Sequence, residues 1–239
     1  MQIAGKRVVI LGGTGGFGYA TAQAAAQAGA EVVVVSPSPE KVDAAVKALG
    51  GAARGQVVNV TDEAALERFF DALGSFDHLV TTMGDQLHKK PFLESTVAHS
   101  KTEFEVRFWG QYNAARLAAP RIAKTGSMTL TSAASSQRAI PNGILAGALN
   151  SAVEGMVRQL AAELGPVRVN AVAPGFIATA RYAAMPEGAR KQFYDERAAM
   201  LPLRRIGDPQ DVAEAFLYLM SNSFSTGTTL FVDGGMVVA

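Results

Sequence analysis

Short runs of apolar, often β-branched residues recur along the chain and alternate with Ala-rich stretches of helical character. Arg7–Leu11, Glu31–Val35, Gln56–Val60, His78–Thr82, Ser127–Thr131, Arg168–Val172 and Thr229–Val232 predict strands. These runs are near-continuous in apolar character, the pattern of parallel strands covered on both faces. Tyr19–Gln27, Pro39–Leu49, Asp62–Leu73, Lys101–Leu117, Leu145–Leu164 and Pro209–Met220 predict helices. Asp62 after Thr61 and Pro209 after Asp208 are good helix starts. Repeated strand–helix–strand units imply an α/β fold, a doubly wound parallel sheet of about seven strands with helices on both faces. No linker, repeat or low-complexity tract interrupts the pattern, so residues 1–239 read as a single domain. The stretch 178–203 breaks it. Its length and its Pro, Gly, Tyr and Arg residues suit a mobile lid over a substrate.

Composition narrows the function classes. The chain of 239 residues is 49% hydrophobic and 18% charged, enough to build one sizeable core. Its 22 basic and 21 acidic residues leave a net charge of +1, so no electrostatic footprint for nucleic acid or a membrane surface is expected. The absence of cysteine excludes disulfides, thiolate metal sites and a Cys nucleophile, and no metal site is expected. No run approaches the ~18 apolar residues of a membrane span. A soluble, cytoplasmic protein acting on a small molecule is the expectation.

The first strand runs directly into GGTGGFG, with glycines at Gly12, Gly16 and Gly18 ahead of a helix. A sharp turn needs residues free of Cβ, and a close backbone lets N–H groups and a helix N-terminus reach a pyrophosphate. The G-x-x-x-G-x-G spacing resembles that of the short-chain dehydrogenase/reductase family. Other segments agree: NVTD at Asn59–Asp62, TTMG at Thr81–Gly84, RVNAVAPGFIAT at Arg168–Thr179, and the C-terminal LPLRRIGDPQDVAEAFLYL and TGTTLFVDGG. The resemblance spans essentially the whole chain. It implies a Rossmann-like fold, a nicotinamide cofactor, a small-molecule substrate and a homodimer or homotetramer.

It also implies where the cofactor lies. Gly12, Thr14, Gly15, Gly16, Phe17 and Gly18 form the phosphate cradle. Asn59, where the family usually has Asp, and Val60 border the adenine. Thr82, Met83 and Gly84 follow the fourth strand, where the family has Asn-Asn-Ala-Gly. Pro174, Gly175, Ile177 and Thr179 flank the nicotinamide. No acidic residue stands near Ser36 to bind a ribose diol. Ser36 and Ser38 can donate to a 2′-phosphate, or simply cap the turn before Pro39. NADP(H) is the preferred cofactor, with NAD(H) left open.

The catalytic positions depart from the family pattern. The family pairs Tyr with a Lys four residues later, adds a carbonyl-polarising Ser, and places an Asn on an earlier helix. Ser132 fills the Ser position, but ungapped alignment puts Ala146 at the Tyr and Asn150 at the Lys. Arg107, in EVRFWGQYN, falls at the Asn. The helix from Leu145 thus begins without an ionisable group, and its first charge is Glu154. Ser132 can still donate to a carbonyl, Arg107 can hold a ribose or a carboxylate, and Asn150 can bond ribose hydroxyls. A proton donor is missing; His88, Tyr182 and Asp85 are the candidates near the site. Arg181, Arg190 and Arg197 in the lid offer partners for an anionic substrate group. Three readings stay open: an oxidoreductase of atypical mechanism, a catalytically silent nucleotide sensor or partner-binding module, and hydride chemistry on a non-carbonyl substrate. Phe104, Phe108, Trp109 and Tyr112 crowd one helix as a core face or an oligomer seam.

Overall fold

The computed structural model describes residues 3–51, 53–84 and 90–239. Among these, one sheet holds seven parallel strands: β1 (Arg7–Leu11), β2 (Glu31–Ser36), β3 (Ala53–Val57), β4 (Phe76–Thr81), β5 (Ile122–Thr131), β6 (Arg168–Pro174) and β7 (Thr229–Val232). Their order is β3-β2-β1-β4-β5-β6-β7, so the winding reverses between β1 and β4. In open α/β sheets, ligands bind at the carboxyl ends of the strands beside such a reversal. The helices follow in chain order: α1 (Gly16–Gln27), α2 (Pro39–Leu49), α3 (Glu63–Leu73), α4 (Val97–Phe104), α5 (Gly110–Ala118), α6 (Ile144–Glu163), α7 (Glu187–Ala199) and α8 (Pro209–Ser221).

The two faces sort by strand parity. Val8 and Ile10 of β1 point into a core shared with α1 and α8, through Ala22, Ala25, Val212 and Phe216. Val9 and Leu11 point the other way, to Leu66 and Phe70 of α3, Ala114 of α5, and Leu149 and Val153 of α6. Both faces of the inner strands are buried, which is why their sequences read as unbroken apolar runs. Among the described residues no helix is long and apolar enough to cross a membrane.

The fifth strand starts at Ile122 rather than Ser127, α7 was not predicted, and two further elements differ in kind or register. The third strand is Ala53–Val57 rather than Gln56–Val60. It pairs with β2 from Val32↔Ala53 to Ser36↔Val57 and forms the sheet edge, so its residues 54–57 are exposed. Val58 and Val60, which gave the predicted strand its apolar character, are buried after the ladder has ended. Gly55 lets α2 pack closely on this strand, because a Cβ there would run into Val42 and Val46. The predicted helix Lys101–Leu117 is α4 and α5 joined by a π-helical turn, Glu105–Trp109. Such turns widen a helix by one residue and free carbonyls from their usual partners.

His78 of β4 is a polar group in the core, 4% exposed, with Nδ1 at 2.9 Å from Ser127 Oγ. Burial lowers its pKa to about 4 against the pull of Asp77; Arg168 and Lys6 add to the lowering. The folded state therefore holds a neutral imidazole, whereas the unfolded chain protonates near 6.5. The stability this contributes is complete above pH ~6.5 and is lost as pH falls towards ~4, on the order of 3 kcal/mol at most. Thermal melts between those limits should show a midpoint that falls with acid, and His78→Asn should flatten that slope. A slope unchanged in the variant would assign the acid sensitivity elsewhere.

Candidate active site

The glycine loop sits in the crease between β1 and β4. Gly12 N–H donates to Val35 O at 2.8 Å, and Thr82 N–H donates to Leu11 O at 2.7 Å, so the two strand ends are pinned side by side. A Cβ on Gly12, whose φ is +88°, would stand 2.8 Å from Met83 N. A Cβ on Gly18 would collide with Thr82 Oγ1 and the Gly12 carbonyl oxygen. Thr82 therefore packs the loop from below. Gly15 is the N-cap of α1 and supplies no side-chain hydrogen bond, whereas Ser38, Asp62 and Thr96 cap α2, α3 and α4. The first N–H groups of α1 are thus left for an external acceptor, beside a cleft of about 390 Å³ lined by Gly16, Tyr19, Thr179 and Asp208. Thr179 Oγ1 is buried and without a partner, next to Gly16. An uncapped helix start, a loop that excludes Cβ atoms and an orphaned hydroxyl fit a dinucleotide.

Pro174 ends β6, and Gly175 N–H donates to Val232 O at 3.0 Å; a Cβ at Gly175 would press on Asp233. Ile177 is buried and bridges to Gly207. This ties the entry of the 178–203 stretch to the start of α8. At the other end, Val60 is buried, while Asn59 is exposed and its Oδ1 accepts from Thr61 N and Oγ1. That bond leaves the Asn59 amide group facing outward as a donor.

The serines at the tip of β2 behave as caps. Ser38 Oγ accepts from Lys41 N at 3.3 Å and donates to Glu40 Oε2 at 2.8 Å. Ser36 Oγ accepts from Ser38 N. Hydrogen bonds from its own backbone and from Ser38 hold the Glu40 carboxyl below its ordinary pKa. A carboxylate therefore sits one turn from Ser36, which the sequence reading passed over.

Arg107 lies in the π turn and folds over Gly84, with Nη2 at 3.4 Å from Gly84 O. Gln111, 2% exposed, holds this arrangement. Its amide nitrogen donates to the Arg107 carbonyl and to Thr131 O, and its oxygen accepts from Thr81 Oγ1 and Thr131 N. One side chain thus satisfies the carbonyl exposed by the π turn and ties that turn to the ends of β4 and β5. Gln111 was not a predicted site residue; its signal was a polar amide on an otherwise apolar helix face.

Ser132 follows β5 and is 2% exposed. Its hydroxyl donates to Glu154 Oε1 at 2.8 Å, with Asn150 O at 3.3 Å. Asn150 donates to Ser135 Oγ at 3.0 Å and back to Ala146 O at 2.8 Å, so its amide nitrogen serves the helix and its flanking loop. Glu154, buried at 4% exposure, also accepts from Gln137 at 3.3 Å. The structure thus assembles Ser132, Asn150 and Glu154, and places Arg107 beyond Gly84. Glu154 was visible in sequence only as the first charge of its helix, one turn past Asn150. His88 and Asp85 lie outside the described residues.

The 178–203 stretch contains α7. Tyr182 packs against Phe193 and Tyr194 at centroid distances of 5.2 and 5.7 Å. The guanidinium of Arg197 lies over Phe193 and Phe176, and that of Arg181 over Tyr182. Arg181 and Arg197 thus brace an aromatic cluster.

A family model described as enoyl-(acyl carrier protein) reductase matches residues 12–237. The 3-oxoacyl-[acyl-carrier-protein] reductase FabG of Thermotoga maritima is 32% identical over 256 residues, covering 100% of both chains. L-xylulose reductase of Mus musculus is 32% identical over 249 residues, 99% of this chain and 98% of its own. Among solved structures, a small-chain dehydrogenase in complex with NADPH superposes with a TM-score of 0.86 at 32% identity, covering 98% of this chain and 100% of that one. MalC reductase/Diels-Alderase from Malbranchea aurantiaca superposes at 0.92 with 28% identity, covering 99% and 98%.

The cradle makes two neighbouring glycines unequal. Gly18→Ala forces backbone apart and should destabilise the protein by about 1–3 kcal/mol while weakening nucleotide binding. Gly15→Ala meets open space at an extended φ of −164° and should stay within about 0.5 kcal/mol of the parent. Paired denaturant melts and calorimetric titrations check both; equal effects would contradict the packing described.

Proposed function

Because the chain belongs to the short-chain dehydrogenase/reductase family, we propose that it is an NAD(P)-dependent oxidoreductase acting on a small, partly apolar carbonyl or alcohol, by a mechanism that dispenses with the family's Tyr/Lys pair. The bound nicotinamide supplies or receives two electrons as a hydride. The uncapped start of α1 beside the glycine cradle carries this reading: among the described residues no side chain caps its first N–H groups, and they suit a pyrophosphate. Thr14, Gly16 and Phe17 line that position, Thr179 Oγ1 meets a polar group of the nicotinamide, and Val60 and Asn59 border the adenine. Arg107 steadies a ribose or an anionic substrate group over Gly84. Ser132 approaches the reacting oxygen from the end of β5. The aromatic cluster of Tyr182, Phe193 and Tyr194 covers the substrate and excludes water.

A nucleotide-binding module without turnover is the second reading. Ala146 and the inward-turned amide of Asn150 favour it, because neither can take part in proton transfer. We further propose self-association as a homodimer or homotetramer. Trp109 and Tyr112 are about half exposed in edge-on contact, while Phe104 and Phe108 on the same segment pack on the core. A monomeric mass by light scattering would refute it.

For the cofactor we propose NADP(H) over NAD(H). The tip of β2 presents Ser36 in place of an acid, and the similar NADPH-bound dehydrogenase supports the choice. The Glu40 carboxylate opposes a 2′-phosphate and limits the preference. Calorimetric titration of nucleotide-free protein with NADPH, NADH, NADP and NAD should show tightest binding for the phosphorylated pair. Glu40→Gln should widen that preference severalfold. Binding of none of the four would refute the oxidoreductase reading, and an unaltered ratio in the variant would place the selectivity elsewhere.

A further inference from the structure

Glu154 is an unusual residue to keep in its place. Its carboxyl group is almost wholly buried in α6, yet its recorded partners are two neutral donors, the hydroxyl of Ser132 and the amide of Gln137. Among the described residues it makes no ion pair. The π turn carries Glu105 and Arg107, and α4 carries His99 with Glu103 as its 3.9 Å neighbour. Arg138, in the loop after β5, donates to Met236 O; Arg168 of β6 donates to the end of α8. Arg158, one turn on along α6, is exposed. Burying a carboxyl group without a cation costs stability, and an apolar side chain would fill the same space without that cost. Its location is also specific: it bonds the one residue that retains the family's Ser position.

We propose that Glu154 exchanges a proton with the substrate oxygen through Ser132, in place of the missing Tyr; this rests on the oxidoreductase reading above. The directions of the bonds support it. A hydroxyl has a single proton, and of the two acceptors near Ser132 Oγ the Glu154 Oε1 at 2.8 Å is closer than Asn150 O at 3.3 Å. The lone pairs of Ser132 Oγ are left to accept. In oxidation of an alcohol, the substrate O–H bond breaks and its proton passes to Ser132 Oγ, while Ser132's own proton passes to Glu154 Oε1. The carbinol carbon gives up its hydrogen with both bonding electrons to the oxidised nicotinamide. The products are the carbonyl, the reduced cofactor and a neutral Glu154 carboxyl, which returns its proton to solvent on the side of the exposed Gln137. Reduction runs the same steps in reverse.

Three variants test the relay: Glu154→Gln, which keeps size and hydrogen bonding but cannot titrate, Glu154→Asp, and Ser132→Ala. The first readout needs no turnover. In protein labelled with carboxyl-13C glutamate, the resonance absent from Glu154→Gln belongs to Glu154, and Ser132→Ala should displace its titration. A resonance that Ser132→Ala leaves unmoved overturns the proposal. The second readout is steady-state reduction of 2,3-butanedione and oxidation of secondary alcohols as a function of pH. Glu154→Gln should lower kcat about 10²-fold with KM little changed and flatten the pH profile, and Glu154→Asp should restore part of the loss. If Glu154→Gln equals an active wild type in rate and profile, the relay is wrong and the oxidoreductase reading stands. If the wild type binds no nicotinamide nucleotide, that reading falls and the relay with it.

Discussion

Three segments meet at the carboxyl end of the sheet because two positions there have no side chain. Gly12 and Gly18 let the turn after β1 lie directly on Thr82, which itself hangs from the Leu11 carbonyl. That contact sets the distance between β1 and β4 at the point where the winding reverses. It also aims α1 away from the crease with its first amides outward. Move the turn by the width of a methyl group and the amides, Thr82 and Gly84 all shift together, because interiors at this density do not absorb such a displacement locally. The geometry of the nucleotide cradle is therefore a packing property before it is a binding property.

Polar chemistry on the far side is organised on a different plan. Gln111 joins the π turn to β4 and β5, and Ser132 joins β5 to α6 through Glu154. These two side-chain networks flank the same strand end and share no residue. The first is built from neutral amides and hydroxyls with every recorded bond complementary. The second contains a carboxyl group. A buried carboxyl held by neutral donors costs more to desolvate than amides and hydroxyls do, so the two networks differ in what they cost the fold.

Much of this was legible in the chain itself. Unbroken apolar runs announced inner strands, and glycine spacing after β1 announced the cradle, because both depend on neighbours close in sequence. The failures share a cause. Val58 and Val60 look like strand residues but are buried as the chain leaves the sheet, and only the pairing of Val32 with Ala53 fixes the register. The π turn depends on Gln111 reaching two strands that precede and follow it. Of the two roles open to Ser38, the cap is the one its hydrogen bonds to Lys41 N and Glu40 fill. Glu154 needed Ser132, separated from it by the whole connection from β5 to α6. Partnerships across the fold are invisible to periodicity, and the polar residues at the ends of β4 and β5 depend on them most.

The uncapped start of α1 has a bearing on how long the molecule survives in a cell. A helix end with unpaired amides opens more readily than a capped one, and here it lies against the first strand of the core. A ligand that engages those amides only in the folded state adds about 2.7 kcal/mol when present at a hundred times its dissociation constant. Proteases that attack the opened form would then remove empty molecules about a hundredfold faster than loaded ones. Abundance of the protein would thus follow the supply of its dinucleotide.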